Sequence, residues 1–271
     1  MSYFSGKTAV VTGAGDGIGR ALALQLNAEG CRLWLCDIKP ELLAQTHSML
    51  SRPEIDCHTA IVDCGNPDAI YRWAADVAEQ TPSLDLLINN AGVAYGARFE
   101  ESTDENFRWL MDINFWGVVT GTRAFLPLLR RSSAAHLVNL SSIFGMVSVP
   151  TQTAYNAAKF AVRGFTEALI AENLNSNLHI TAVHPGGIST GIAYKARSDG
   201  QAGQTSAEER DAHFRRYALT TPEKAAAIIL KAAKKKKRQV LVGMDAKLVH
   251  WLVRLLPTRY HWITARVAPE A

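Results

Sequence analysis

The sequence predicts an α/β chain: one domain, residues 1–271, built on a doubly wound, parallel, seven-stranded sheet. Three observations carry that prediction. Short apolar runs alternate with helix-length amphipathic runs, the connections between them are short, and the first run passes through a glycine turn straight into a helix. A length of 271 residues with 48% hydrophobic and 20% charged content suits one such domain with a sizeable core. Two stretches fall outside the alternation. Residues 188–218 are poor in large apolar side chains and read as a mobile, substrate-covering insertion, and residues 244–271 read as a C-terminal helical tail.

In chain order, Thr8–Val11 is a short buried strand, and Gly13, Ala14, Gly15, Asp16, Gly17, Ile18 and Gly19 lead from it into a helix. Gly13 suits a tight turn, Gly17 lets the backbone approach a pyrophosphate at the helix N-terminus, and Gly19 permits close packing on the sheet. A second strand, Arg32–Cys36, ends in Asp37, 20 residues after Gly17. An acid there accepts hydrogen bonds from the adenosine ribose hydroxyls and repels a 2′-phosphate, so NAD is expected over NADP. A helix (40–51) and a third strand (56–62) follow, with Asp63 placed to meet an adenine amino group. The next helix opens at Asn66 or Pro67, and the fourth strand (84–88) runs into Asn89-Asn90-Ala91-Gly92. Two amides there offer donors and acceptors, while Ala91 and Gly92 leave room for a flat ligand.

One long helix is expected over 103–131, with Asn114, a poor interior helix residue, in its middle and Pro127 kinking or ending it. The fifth strand, His136–Leu140, gives way to Ser141-Ser142. A helix over 153–175 then carries Tyr155 and Lys159, four apart and so on one face. A fixed ammonium near a phenol favours the phenolate and lowers its pKa from about 10, so this pair is expected to move a proton. The sixth strand (179–183) leads into Pro185-Gly186-Gly187-Ile188-Ser189-Thr190, a helix is expected over 222–237, and 239–243 form the seventh strand. Helix 246–256 puts Leu248, Trp251, Leu252 and Leu255 on one face, with Lys247, Arg254 and Arg259 nearby, a face expected to close the pocket or pack across a subunit interface, with a lipid headgroup layer as the alternative.

Taken together, Thr12-Gly-x-x-x-Gly-x-Gly19, Asn89-Asn-Ala-Gly92, Asn114, Ser142, Tyr155-x-x-x-Lys159 and Pro185-Gly186 resemble the short-chain dehydrogenase/reductase family over about residues 6–190. The resemblance implies a Rossmann-type fold and hydride transfer with a nicotinamide dinucleotide. It makes Tyr155 the general acid/base, gives Lys159 the tasks of lowering its pKa and binding the nicotinamide ribose, has Ser142 bond the substrate oxygen, and has Asn114 hold a water in the proton relay. By the same resemblance Asn90, Ala91, Gly92, Pro185, Gly186, Ile188 and Thr190 line the cofactor groove. It carries no role for His184, and it implies a homodimer or homotetramer.

The candidate pocket residues, among them Val93, Ala94, Tyr95, Ile143, Phe144, Met146, Val149 and Ile188, are mostly apolar. A hydrophobic secondary alcohol or its ketone is therefore the expected substrate, with Ser142, Phe144, Val149 and Tyr155 against it. A reductase of small carbonyl compounds is the alternative, and a non-catalytic dinucleotide-binding regulator or membrane-surface scaffold the reading from a different class. The net charge of +4 is concentrated at Lys234–Arg238, which excludes a broadly basic nucleic-acid-binding body but leaves peripheral membrane contact through the basic and apolar C-terminal region open. Four cysteines without metal or redox spacing read as reduced thiols with no metal site, and an N-terminus without an apolar leader reads as cytoplasmic.

Overall fold

The computed structural model describes residues 2–267; Met1 and the last four residues of the expected tail lie outside them. Seven parallel strands form the central sheet: β1 (Thr8–Thr12), β2 (Arg32–Asp37), β3 (Cys57–Ile61), β4 (Leu86–Asn89), β6 (Ala135–Leu140), β7 (Leu178–Pro185) and β9 (Gln239–Val242). Their order across the sheet is β3-β2-β1-β4-β6-β7-β9, so the winding reverses between β1 and β4. In a sheet of this kind the ligand crevice lies outside the carboxyl ends of the strands at that reversal.

Both faces of the sheet are covered, which is why its inner strands are continuously apolar instead of alternating. Ala9, Val11, Leu33, Leu35, Leu86 and Ile88 point into one core, which they share with α1 (Gly17–Ala28) and α8 (Pro222–Lys234). Val10, Trp34, Cys36 and Leu87 point into the other, against α3 (Pro67–Gln80) and α5 (Gly117–Arg131). The two-residue period of a strand sorts adjacent side chains into these two layers. Helix α2 (Pro40–Ser48) flanks β2, and α6 (Thr153–Glu172) packs along β7.

The stretch expected as one helix over 103–131 is three pieces. Helix α4 (Asp104–Met111) opens into a π-helical turn, Asp112–Trp116, before α5 begins. Asn114 sits in that wide turn, fully buried, with its amide turned out of the helix and onto Val93. Pro127 does not end the helix, which continues to Arg131. Outside the sheet, β5 (Tyr95–Gly96) pairs in parallel with β8 (Arg197–Ser198). The segment expected to be mobile therefore contains a strand, together with α7 (Ala207–Tyr217), whose start is closed by a reciprocal Ser206/Glu209 capping box. The tail forms α9 (Met244–Leu255), close to the expected 246–256, and a further short helix, α10 (His261–Val267).

Candidate active site

The glycine turn is dictated by space as well as backbone conformation. Gly13 and Gly17 adopt φ of +63° and +51°, which side chains disfavour. A Cβ on Gly19 would stand 2.0 Å from the Gly13 carbonyl oxygen, so no larger residue lets α1 approach β1 this closely. Thr12 ties the turn to the next strand: its hydroxyl accepts from the backbone N–H groups of Asn90 and Ala91, both at 3.0 Å. Asn90 answers by donating its amide to the carbonyls of Thr12 and Gly13. Asn90 is thus a brace between β1 and β4 that fixes the floor of the groove.

Asp37 ends β2 with its carboxylate already oriented, accepting from Gly15 N–H at 2.8 Å and Lys39 N–H at 3.0 Å. Asp16 caps α1 through Gly17 N–H and forms a 2.5 Å ion pair with Lys195, between β7 and β8. Burial alone would raise the Asp16 pKa, but the bonds from Lys195 and Gly17 more than offset it and hold it below the usual value. Thr190 lies against Gly17, where an added Cβ would come within 2.9 Å of its methyl group. Ile188 is buried in the core beneath. Gly186 follows Pro185 at the end of β7, and a Cβ there would collide with the Asp245 carboxylate. Asp63 accepts from Gly65 N–H and borders a cavity of about 600 Å³ that also takes in Asp112 and Ile113. Shaped glycines, a helix N-terminus and an acid at the end of β2 together fit a nicotinamide dinucleotide.

The reacting end gathers residues from three elements. Ser142 follows β6, Tyr155 and Lys159 occupy the first two turns of α6, and Asn114 comes from the π turn. Gly92 marks where two of these meet: a Cβ there would lie 3.1 Å from Asn114 Oδ1 and 3.6 Å from Lys159 Nζ. Asn114 clamps the strand-end loop in both directions, accepting from Val93 N–H at 2.8 Å and donating to Val93 O at 2.9 Å. Phe144 packs edge-on to the Tyr155 ring with centroids 6.0 Å apart, and Val149 stays half-buried on the same loop.

The electrostatics differ from the expectation. Burial raises the Tyr155 phenol to about 12, with the neighbouring Ser142 hydroxyl acting in the lowering direction. Burial also brings the Lys159 ammonium down to about 8. Lys159 donates to Leu140 O at 3.1 Å, and its nitrogen stands 5.6 Å from the centre of the tyrosine ring. At that distance, and committed to a carbonyl, it does not offset the desolvation of the phenol.

Several residues that hold the site were not recognised from sequence. Asn156 donates to Phe144 O and Val147 O, both at 2.8 Å, and accepts from Val149 N–H, pinning the Ser142–Val149 loop to α6. The Ser141 hydroxyl bonds Lys159 O at 2.8 Å. His184, buried and pushed to a pKa of about 4 by desolvation, is neutral at physiological pH; its Nδ1 lies 3.1 Å from the Ser142 carbonyl, which can only accept, so Nδ1 carries the hydrogen. Asn156 and His184 together position Ser142 and Phe144. Two expected pocket residues face elsewhere: the Tyr95 hydroxyl bonds Asp199 at 2.5 Å, and Met146 borders a groove beneath α9.

Comparison with known proteins agrees with this architecture. A family model described as short chain dehydrogenase matches residues 7–201. A Mycobacterium tuberculosis protein named SadH is 43% identical over 268 residues, covering 98% of this chain and 96% of that protein. Among solved structures, a short-chain dehydrogenase/reductase from Burkholderia phymatum in complex with NAD superposes with a TM-score of 0.85 at 29% identity, covering 96% of this chain and 97% of its own. A metagenomic short-chain oxidoreductase in complex with NADP gives 0.72 at 25% identity, over 89% and 98%.

Proposed function

The chain belongs to the short-chain dehydrogenase family, and from that premise we propose that it is an NAD-dependent oxidoreductase interconverting a hydrophobic secondary alcohol and its ketone, with Tyr155 as general acid and base. The observation that carries this reading is the convergence of the Tyr155 phenol, the Ser142 hydroxyl and the buried Lys159 ammonium at the carboxyl end of β6, beside a groove shaped for a dinucleotide.

A bound nicotinamide supplies or accepts the hydride. In the oxidative direction Tyr155 takes the hydroxyl proton of the alcohol, and in reduction the phenol returns a proton to the alkoxide. Ser142 donates a hydrogen bond to that oxygen, and its position is set by the His184 contact to its own carbonyl. The Lys159 ammonium, with a pKa of about 8, favours the tyrosinate when the two groups approach. Asn114 holds the loop from Gly92 to Val93 open for a water-linked proton path, the role its family position implies.

Support for NAD over NADP is Asp37, a negative charge held in place by two backbone donors where a 2′-phosphate would have to sit. Support for an apolar substrate is Phe144 against Tyr155 and Val149 on the same loop; Arg163 and Arg197 are engaged with Glu167 and Trp109. Residues 188–218 cover the site through the Lys195–Asp16 pair and the Asp199 latch to Tyr95, Thr103 and Asn106. A cytoplasmic setting accords with four free thiols, and Trp116 and Phe160, exposed on adjoining elements, offer surface for a homodimer or homotetramer.

A panel of secondary alcohols and ketones of graded chain length, assayed with all four nicotinamide dinucleotides, tests the reading. Turnover should rise with apolar substrate size and be higher with NAD. Activity confined to small polar carbonyls would favour the alternative reductase, and NADH binding without turnover of any compound would favour a dinucleotide-binding regulator.

A further inference from the structure

The C-terminal helices leave an apolar face uncovered. Along α9, Met244, Leu248, Trp251 and Leu255 recur at intervals of four, three and four and so form one stripe. They are exposed by 68, 66, 58 and 73%, while Ala246 on the opposite side is fully buried. Trp262 in α10 is 72% exposed. The stripe does not close the candidate pocket, because it faces solvent. No helix among the described residues is long and apolar enough to cross a membrane.

The charges beside this stripe are of one sign. From Met244 to Arg266 there are four cations, Lys247, Arg254, Arg259 and Arg266, against one acid, Asp245. That acid is turned inward, accepting from Gly187 N–H at 2.6 Å. Lys247 and Arg254, seven residues apart, line one edge of the stripe. Beneath the end of α9, Arg254 and His250 border a groove of about 340 Å³ with Arg163, Glu167 and Arg238. Glu167 pairs with Arg163, and Arg238 and Arg254 have no ion-pair partner among the described residues. Arg238 also ends the exposed basic run that begins at Lys234.

A second copy of the chain is a poor occupant. Two-fold pairing of this face on itself would bring its cationic edges together with no outward acid among the described residues of α9 and α10 to meet them. An apolar stripe that includes Trp251 and has a cationic border has the chemistry of a helix lying in the headgroup layer of an anionic bilayer. We propose that the α9–α10 face docks on an anionic lipid surface, with the stripe entering the headgroup layer and the cationic edge and groove meeting lipid phosphates. Tyr260, between the two helices, hydrogen-bonds Ser148 of the site loop at 3.2 Å, which links the docking face to the candidate site. The docking stands independently of the reaction proposed above.

Co-sedimentation of the full chain with vesicles tests it. The protein should pellet at low salt with vesicles of equal parts phosphatidylcholine and phosphatidylglycerol, stay in solution with phosphatidylcholine alone, and be released by high salt. At about five-fold per cation, Lys247→Ala with Arg254→Ala should weaken binding roughly 25-fold. Trp251→Glu should abolish it while NADH titration by fluorescence stays unchanged, which shows that the variant is folded. Absence of binding to the anionic vesicles at low salt overturns the proposal. So does a Trp251→Glu variant that sediments as a smaller species than the parent, because the face would then join copies of the chain. Inorganic phosphate that raises the melting temperature as far as the anionic vesicles do would mark a small-anion site and also overturn it.

Discussion

Replacing Lys159 by methionine should stabilise the protein at neutral pH while removing its activity. Lys159 is only 4% exposed, and burial brings its pKa from 10.5 to about 8. At about 1.4 kcal/mol per pKa unit, keeping the ammonium charged inside the folded chain costs about 3 kcal/mol at pH 7. Methionine follows the same path without charge, but it leaves the Leu140 carbonyl without its donor, a loss of about 1–2 kcal/mol. The net gain is about 1–2 kcal/mol, a rise of a few degrees in melting temperature. The pH dependence separates this cause from ordinary repacking. Below pH 8 the lysine is protonated in both folded and unfolded chains, so the difference between variant and parent is constant. Between pH 8 and 10.5 the unfolded parent holds a proton that the folded parent has released, so the parent gains stability and the difference shrinks. Urea unfolding of both proteins from pH 6 to 10 measures it, with other titrating groups cancelling in the difference. A difference that does not fall above pH 8, or a variant less stable than the parent at pH 7, would refute burial as the source of the Lys159 shift.

Four further outcomes are expected. Tyr155→Phe should lower kcat by roughly 10²–10⁴-fold and leave NADH affinity nearly unchanged in a fluorescence titration. Asp37→Ser should raise the ratio of kcat/KM with NADP to that with NAD by roughly ten-fold or more, since it removes a charge and a ribose acceptor together. Asp199→Ala should speed tryptic cleavage within 188–218 with little change in melting temperature. Burial raises the Asp199 pKa, but bonds from Tyr95, Asn106 and Thr103 outweigh it and hold it at about 2, so the latch should be intact above pH 4 and fail as pH falls toward 2. Asn156→Ala, which strips three hydrogen bonds from the Ser142–Val149 loop, should cost about 2–4 kcal/mol in urea unfolding and lower kcat with Tyr155 still in place.

The sheet was legible because its determinants are local. Val10 and Val11, or Leu86 and Leu87, need only be adjacent and apolar to fill two cores from one strand, and a run of such residues between turn formers announces itself. The glycine turn was legible for a related reason: Gly13, Gly17 and Gly19 are required where the backbone has no alternative. The π turn was not, because helical periodicity continues through Asn114 and only the non-local bond to Val93 shows why the helix opens there. The order in residues 188–218 was hidden similarly. Asp199 and Arg197 look like solvated charges in a polar stretch until the fold sets Tyr95, Asn106 and Trp109 beside them.

The tyrosine–lysine pair shows where residue type and spacing stop being informative. A spacing of four places Tyr155 and Lys159 on one face of α6, and the structure agrees. What an i, i+4 spacing cannot convey is that the same helix face is desolvated, so that burial acts on both groups and drives each toward its neutral form. A phenol held near 12 is neutral at pH 7, while an ammonium held near 8 stays charged there against the cost of burial. Proton transfer at this site therefore requires something that favours the phenolate; an oxidised nicotinamide dinucleotide, which the Gly13–Gly19 turn and Lys159 would hold, would supply positive charge for it. On that account the phenol should titrate several units lower in the complex with oxidised dinucleotide than in the protein alone. Ultraviolet difference titration of tyrosinate, with Tyr155→Phe as the blank, measures this, and an unchanged midpoint would locate the activation of Tyr155 elsewhere.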